Sequence, residues 1–334
     1  MANDRITVLG AGSWGTALAI RLATRQDTLL WGHEPDAMAT LAATRENSIF
    51  LPGIEFPDRL SIEPDLATAV RASRDLLIVV PSHAFREVLH NIAGLLDTGS
   101  RIAWATKGLE QGSGKFMGDV LEEELGTDYP AAVVSGPTFA LEVARGLPTA
   151  LTVASNNPPF ANELAARLHG DVMRAYTSDD MLGVQLGGTV KNVLAIASGI
   201  TDGLQLGANS RAALITRGLA EIIRLGDAMG ARRETLMGLA GVGDLILTCT
   251  DDLSRNRRLG LALGRGTRLE VAVEEIGQVV EGFNTAREVV QLAREYRVDM
   301  PISEQVYRVL HEGLPPRDAV HNLLSRHIRS ESVG

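Results

Sequence analysis

Only three of the 32 basic residues in this 334-residue chain are lysines, Lys107, Lys115 and Lys191; every other one is arginine. That usage singles the lysines out, because arginine cannot lose its proton in a protein, whereas burial lowers a lysine's pKa far enough for it to exchange one. Lys191 lies in Gly187-Gly188-Thr189-Val190-Lys191-Asn192, within a stretch from Val184 to Ile196 that is apolar around most of a helical circumference. A helix of that kind is buried near a domain junction, its amine is partly desolvated, and the two glycines let a ligand or another backbone come close. Lys191 is the candidate general acid/base. Lys107, in Ala105-Thr106-Lys107-Gly108-Leu109-Glu110, follows a strand-like run, and ligands of open α/β sheets sit beyond strand carboxyl ends, so its charge is placed to hold substrate oxygens. Lys115, in the polar turn Gly112-Ser113-Gly114-Lys115, reads as a surface charge.

A second polar cluster follows Gly241-Val242-Gly243-Asp244-Leu245 and runs from Asp252 to Arg258. Ser254 fits the N-cap of the next helix, with Arg255 and Asn256 in its first turn beside free backbone N–H groups, an arrangement able to hold a phosphate. The alternative is an ordinary capped helix with solvated arginines. Asp244, isolated among apolar residues, either orients a lysine or hydroxyl or is buried with a structural partner. Cys249 is the single cysteine and reads as a core side chain. One cysteine excludes an internal disulfide and any CxxC pair, from which a cytoplasmic setting is expected. The seven histidines are scattered without a ligand-like spacing, so no metal is expected.

Near the start stands Gly10-Ala11-Gly12-Ser13-Trp14-Gly15, after a β-branched run and before a helical pattern. Glycines there permit a tight turn and close approach of a pyrophosphate to a helix N-terminus, which makes Gly10, Gly12 and Gly15 candidate dinucleotide ligands. The next strand ends in Trp31-Gly32-His33-Glu34. No acid follows it directly to take the ribose hydroxyls of NAD, so the reading leans to NADP, with His33 facing the 2′-phosphate; a solvated loop histidine is the alternative.

The elements that must position these groups come in two kinds. Strand-like runs at 5–9, 28–31, 75–80, 101–106, 131–135 and 149–154 alternate with helical patterns, and several are apolar on successive residues, as in a parallel sheet covered on both faces. After about residue 180 the strand signals stop, and helix-length segments follow at 183–205, 209–230, 256–264, 284–297 and 302–312. The expected organisation is an α/β domain over 1–185 and an all-α domain over 186–334. A net charge of −9 and only 4% aromatic residues argue against a nucleic-acid partner. No apolar run is long enough to span a bilayer, and the start MANDRITVLG shows no secretory signal.

Nine segments in order resemble bacterial NAD(P)-dependent glycerol-3-phosphate dehydrogenases almost end to end: GAGSWGTALA at 10–19, NSIFLPG at 47–53, ATKGLE at 105–110, SGPTFALEVARGLPTA at 135–150, GGTVKNVLAIASGI at 187–200, GANSRAALITRGLAEI at 207–222, GLAGVGDLILTC at 238–249, SRNRRLG at 254–260 and VVEGFNTA at 279–286. The resemblance implies a Rossmann-type N-terminal domain with a mostly parallel sheet and a C-terminal domain like that of 6-phosphogluconate dehydrogenase. It implies hydride transfer between NAD or NADP and the C2 carbon of dihydroxyacetone phosphate or sn-glycerol 3-phosphate, in the cytoplasm, supplying phospholipid synthesis, often as a homodimer. By the same resemblance Lys191 carries the proton. Lys107, Gly136, Thr138, Asn192, Asp244, Ser254, Arg255 and Asn256 bind substrate, while Ser13, Trp14, His33, Lys107, Ala140, Arg255, Val279 and Glu281 join the glycines at the cofactor. Phe50 stands where many relatives have tyrosine, which removes one ring hydroxyl. A ketopantoate-type reductase would share both domains and a lysine but have no need of the Ser254–Asn256 helix start; a dinucleotide sensor would need the glycines but not Lys191.

Overall fold

The computed structural model describes residues 5–327. Its sheet holds β1 (Ile6–Leu9), β2 (Thr28–Trp31), β3 (Leu60–Glu63), β4 (Asp75–Ile78), β5 (Arg101–Trp104), β6 (Ala131–Ser135), β7 (Thr149–Ser155) and β8 (Met173–Ser178), in the order β3-β2-β1-β4-β5-β6-β7-β8. All neighbours pair parallel except β6 and β7. Between the strands run α1 (Ser13–Ala23), α2 (Pro35–Thr44), α3 (Leu66–Arg71), α4 (Ser82–Ala93), α5 (Met117–Leu125), α6 (Ala140–Ala144) and α7 (Pro158–Leu168). The sheet is dressed on both faces: Ile6, Val8 and Leu77 join one apolar cluster with Leu18 and Phe160, while Leu9, Leu76 and Ile78 join another with Phe85 and Trp104. That two-sided burial is why the central strands are apolar residue after residue.

All six strands expected from the sequence are present, two of them ending earlier than expected, at Ile78 and Trp104. The two that patterning does not reveal, β3 and β8, are the outermost ones. Each exposes part of its length, and Leu-Ser-Ile-Glu and Met-Arg-Ala-Tyr-Thr-Ser carry too few apolar residues to stand out from loop. Chain order reverses between β1 and β4, so a crevice opens beyond their carboxyl ends, where doubly wound sheets take ligands.

The remaining chain is helical: α8 (Met181–Gly203), α9 (Gly207–Met229), α10 (Arg233–Leu236), a π-type turn over Leu239–Gly243, α11 (Asp244–Thr250), α12 (Arg255–Gly264), α13 (Leu269–Ile276), α14 (Glu281–Glu295), α15 (Pro301–His311) and α16 (Pro316–Leu324). The five expected helices correspond to α8, α9, α12, α14 and α15; the shorter ones lie between glycines and prolines and show too few turns for a periodic signal. The sheet ends at Ser178 and α8 starts at Met181, capped by Asp180, so this helix runs through the position expected for the change of domain. No helix among the described residues is long and apolar enough to cross a membrane.

Helix α8 is buried continuously from Leu186 to Thr201, and glycines decide what lies against it. A Cβ at Gly199 would fall 2.1 Å from the Arg257 carbonyl oxygen, and one at Gly260 2.0 Å from that of Ile196. Helices α8 and α12 therefore touch backbone to backbone, a contact that any side chain would break. Arg257 locks the crossing, donating to Asp202 Oδ2 at 2.6 Å and to the Cys249 carbonyl at 3.2 Å. Because overpacking of this kind costs about 1–3 kcal/mol, Gly260→Ala should lower the thermal midpoint by several degrees. Gly94→Ala, at a site with helical φ and nothing within 4 Å of the added methyl, should stay within roughly 0.5 kcal/mol of the parent in the same melt.

Candidate active site

The glycine turn is built by contacts that only glycine permits. A Cβ at Gly10, whose φ is +126°, would lie 2.2 Å from the Val79 carbonyl oxygen, and one at Gly15 would lie 1.8 Å from that of Gly10. Gly12 differs. It is the N-cap of α1, has no side-chain cap, and a Cβ there would meet nothing within 4 Å. The first turn of α1 thus has no side-chain cap on its N–H groups and no acidic side chain to repel an anion. Trp14 Nε1 is buried beside them without a hydrogen-bond partner among the described residues. These features fit a bound pyrophosphate. Asn47 braces the turn, its Nδ2 donating at 2.9 Å both to the Ala11 carbonyl and to Thr16 Oγ1. At the end of β2, the His33 side chain is 83% exposed, with Nε2 3.5 Å from Glu34 Oε1.

The polar centre is a carboxylate between two amines. Lys191 Nζ donates to Asp244 Oδ1 at 2.5 Å, and Lys107 Nζ donates to Asp244 Oδ2 at 2.7 Å. Lys191 Nζ also reaches Thr248 Oγ1 at 3.3 Å, and Lys107 Nζ reaches the Gly136 carbonyl at 3.1 Å. Asp244 is 1% exposed, and each of its carboxylate oxygens is taken by a lysine. Burial drives the Lys191 pKa from 10.5 down to about 8; Asp244 resists the shift and the neighbouring Lys107 adds to it. Two ammoniums against one carboxylate leave an excess positive charge, which suits an anionic ligand.

Local sequence makes this meeting possible. A Cβ at Gly187 would lie 2.5 Å from the Ala240 carbonyl, so its absence lets the π-type turn close on α8 and deliver Asp244. A Cβ at Gly188 would lie 2.9 Å from Ser135 Oγ and in ordinary contact with the Lys107 chain, whose Cγ would be 3.6 Å away. A Cβ at Gly136 would stand 2.8 Å from Leu151 Cα, and the Gly136 carbonyl, besides holding Lys107, accepts from Thr138 Oγ1 at 3.1 Å.

Ser254 caps α12 as its type suggests, accepting the Arg257 N–H at 3.2 Å. Asn256 donates to Asn192 Oδ1 and accepts from the Gly282 N–H, both at 2.9 Å, so α8, α12 and α14 are tied beside Lys191. Burial lowers the pKa of Arg255, and the facing carboxylate of Glu281 opposes that shift. Glu281 is itself pushed up by burial and accepts from Ser82 Oγ at 2.8 Å, across the seam at the start of α4. Lys107, Gly136, Thr138, Lys191, Asn192, Asp244, Asn256 and Glu281 are thus drawn into one neighbourhood with the capped start of α12. His33 lies outside that bonded set, as do Ala140, the first residue of α6, and Val279, which is 41% exposed ahead of α14. Asn47, Ser82 and Thr248 have no role assigned from the sequence. Ser82 had one signal, a helix start directly after a strand at the crevice; Asn47 and Thr248 stand in the resembling segments at 47–53 and 238–249 without a chemistry that marks them.

The family model described as NAD-dependent glycerol-3-phosphate dehydrogenase N-terminus matches residues 5–161, and the one described as the C-terminus matches residues 180–321. The chain belongs to this family. A glycerol-3-phosphate dehydrogenase [NAD(P)+] of Thioalkalivibrio sulfidiphilus is 58% identical over 332 residues, covering 99% of this chain and 100% of the relative. One of Shewanella frigidimarina is 56% identical over 330 residues, covering 98% of each chain. Among solved structures, the glycerol-3-phosphate dehydrogenase of Coxiella burnetii superposes with a TM-score of 0.94 at 51% identity, covering 97% of this chain and 99% of that one. The two glycerol-3-phosphate dehydrogenase family models meet the chain on either side of the seam that the Lys107–Asp244–Lys191 cluster bridges. With only three lysines, NMR of protein labelled at lysine Cε gives a direct reading of that cluster. The Lys191 signal should titrate near pH 8, and in Asp244→Asn its midpoint should move lower still, because the one attraction opposing burial is gone.

Proposed function

We propose that the protein catalyses the reversible reduction of dihydroxyacetone phosphate to sn-glycerol 3-phosphate with NAD or NADP, and that Lys191 is its proton carrier. The observation that carries this reading is the buried amine of Lys191, with a pKa near 8, held by Asp244 at the junction of the glycine crevice and the capped start of α12. When bound, the dinucleotide supplies or accepts the hydride at C4 of its nicotinamide ring. The α1 N-terminus and Gly12 receive its pyrophosphate, while Trp14, Glu281 and Arg255 line the same crevice. His33, at the end of β2, is the group available to a 2′-phosphate, which supports NADP.

Protonated Lys191 gives its proton to the C2 oxygen during reduction, and the neutral amine takes the hydroxyl proton back during oxidation. Lys107 holds substrate oxygens with a charge that Asp244 and the Gly136 carbonyl keep in place. Ser254, Arg255 and Asn256 offer the substrate phosphate a helix start and a guanidinium in a partly dry setting, where charge-assisted contacts are strong. A ketopantoate-type substrate has no phosphate to use them. The lone buried Cys249 suits a reducing, cytoplasmic compartment. A role in supplying glycerophospholipid synthesis and a homodimeric state rest on the family resemblance.

Steady-state kinetics with dihydroxyacetone phosphate and both reduced cofactors test the reading; turnover of ketopantoate but not of the triose phosphate would overturn it. Lys191→Ala should lose about 10²- to 10⁴-fold in kcat with cofactor KM little altered. In the parent enzyme, kcat for reduction should fall as pH rises through about 8, where the amine loses its proton, and kcat for oxidation should rise over the same range. Arg255→Ala should raise the KM for the phosphorylated substrate far more than it lowers kcat, a split that kinetics in the reductive direction reads directly.

A further inference from the structure

The connection between β5 and α5 belongs to the sheet domain by chain order, yet its apolar residues are buried in the other domain. Leu109 and Phe116 are 2% and 4% exposed, pair with each other through an antiparallel bridge, and share one apolar cluster with Leu186, Val190 and Val289. Between them the chain turns through Gly112 and Gly114, with φ of +87° and +70°. The outer side of this loop is gripped by Arg86 of α4, which donates to Glu110 Oε1 at 2.6 Å and to Glu110 Oε2 at 2.9 Å. The inner side is gripped from the helical domain, where Glu288 Oε1 of α14 accepts the Gly112 N–H at 3.1 Å. Lys107 leaves the base of the loop, two residues before Leu109.

Glu288 is 2% exposed, and its second oxygen has no hydrogen-bond partner among the described residues. Burying a carboxyl group so poorly satisfied is unfavourable, and packing alone would be better served by leucine. What the side chain does achieve is to catch the turn of the loop. It stands two helical turns beyond Glu281, on the same face of α14, and Glu281 catches Ser82 at the start of α4. Two carboxylates of one helix therefore hold a helix start and a loop of the sheet domain that border the site.

We infer that Glu288 is a positioning residue for the proposed reaction: by fixing the Gly112 turn it holds the 107–116 loop so that Lys107 meets Asp244 and the substrate. This rests on the function proposed above, in which Lys107 contacts substrate. The side chain is needed for its reach and its acceptor oxygen, not for its charge.

Three variants separate these properties. Glu288→Gln keeps an acceptor at the same distance, Glu288→Asp keeps the charge but ends one methylene short of Gly112, and Glu288→Ala removes both. With dihydroxyacetone phosphate as the varied substrate, Glu288→Asp and Glu288→Ala should raise KM about three- to tenfold, with kcat and cofactor KM within about twofold of the parent, whereas Glu288→Gln should match the parent. Hydrogen exchange of the ligand-free protein should show faster exchange across 107–116 in Glu288→Asp and Glu288→Ala, and parental exchange in Glu288→Gln. Unchanged substrate KM or unchanged exchange in Glu288→Asp overturns the inference, as does a Glu288→Gln variant impaired while Glu288→Asp is normal. The Asp and Gln variants carry the test even if Glu288→Ala does not fold. A parent protein without turnover of dihydroxyacetone phosphate sinks the functional reading instead, while the exchange comparison still reports on the loop.

Discussion

The site depends on one constraint: two ammonium groups can share a dry cleft only if a carboxylate lies between them. Asp244 supplies it, with an oxygen for each lysine. Its three participants come from separate stretches of chain, Lys107 from the loop after β5, Lys191 from the middle of α8, and Asp244 from the head of α11. The cluster therefore exists only where the sheet and the helices are docked. The two lysines then diverge because their surroundings do. Lys191 is the more deeply buried, with a side chain 8% exposed against 16% for Lys107, and burial brings its pKa down to about 8. Lys107 has a backbone carbonyl as well as the carboxylate for its amine. The same side-chain type thus sits in two different environments, which is how one residue type can be given two roles.

Bare backbone sets the distances. At Gly187 and Gly188 the missing side chains admit the π-type turn and the Ser135 hydroxyl; at Gly199 and Gly260 they let α12 rest directly on α8. A chain with alanine at these four places would retain its helical periodicity and its apolar faces, yet Asp244 and the start of α12 would stand off from Lys191. Side-chain burial drives these elements together, and the glycines decide how near they stop.

Much of this was readable from residue types, and the failures have a common cause. The interior strands announce themselves because burial on both faces demands unbroken apolar runs, while β3 and β8 do not because an edge strand is buried on one side at most. Lysine scarcity pointed to Lys191 and Lys107, since a titratable amine is the one thing arginine cannot replace. The choice between an orienting and a merely structural Asp244 stayed open, because only tertiary packing brings its carboxylate to an amine 53 residues away in the chain. The same holds for Ser82 with Glu281 and for Gly112 with Glu288, pairs 199 and 176 residues apart. No local pattern encodes such contacts; each follows from how α14 lies along the seam.

The charge of the whole chain and the charge of the cleft act in opposite senses, and distance decides between them. A net charge of −9 disfavours the approach of a phosphorylated, anionic substrate. At physiological ionic strength, however, exposed charges are screened beyond about 8 Å, so most of that surface is silent at the cleft. Inside it, Lys107, Lys191 and Arg255 outnumber Asp244 and Glu281, and screening by salt is weak where water is scarce. Glu281 bears directly on this balance: burial raises its pKa, while the Ser82 hydroxyl and N–H and the nearby Arg255 act to lower it. The cleft therefore stays positive within an acidic protein. It does so because its carboxylates are each engaged, one by two lysines and the other by a serine, before any substrate arrives.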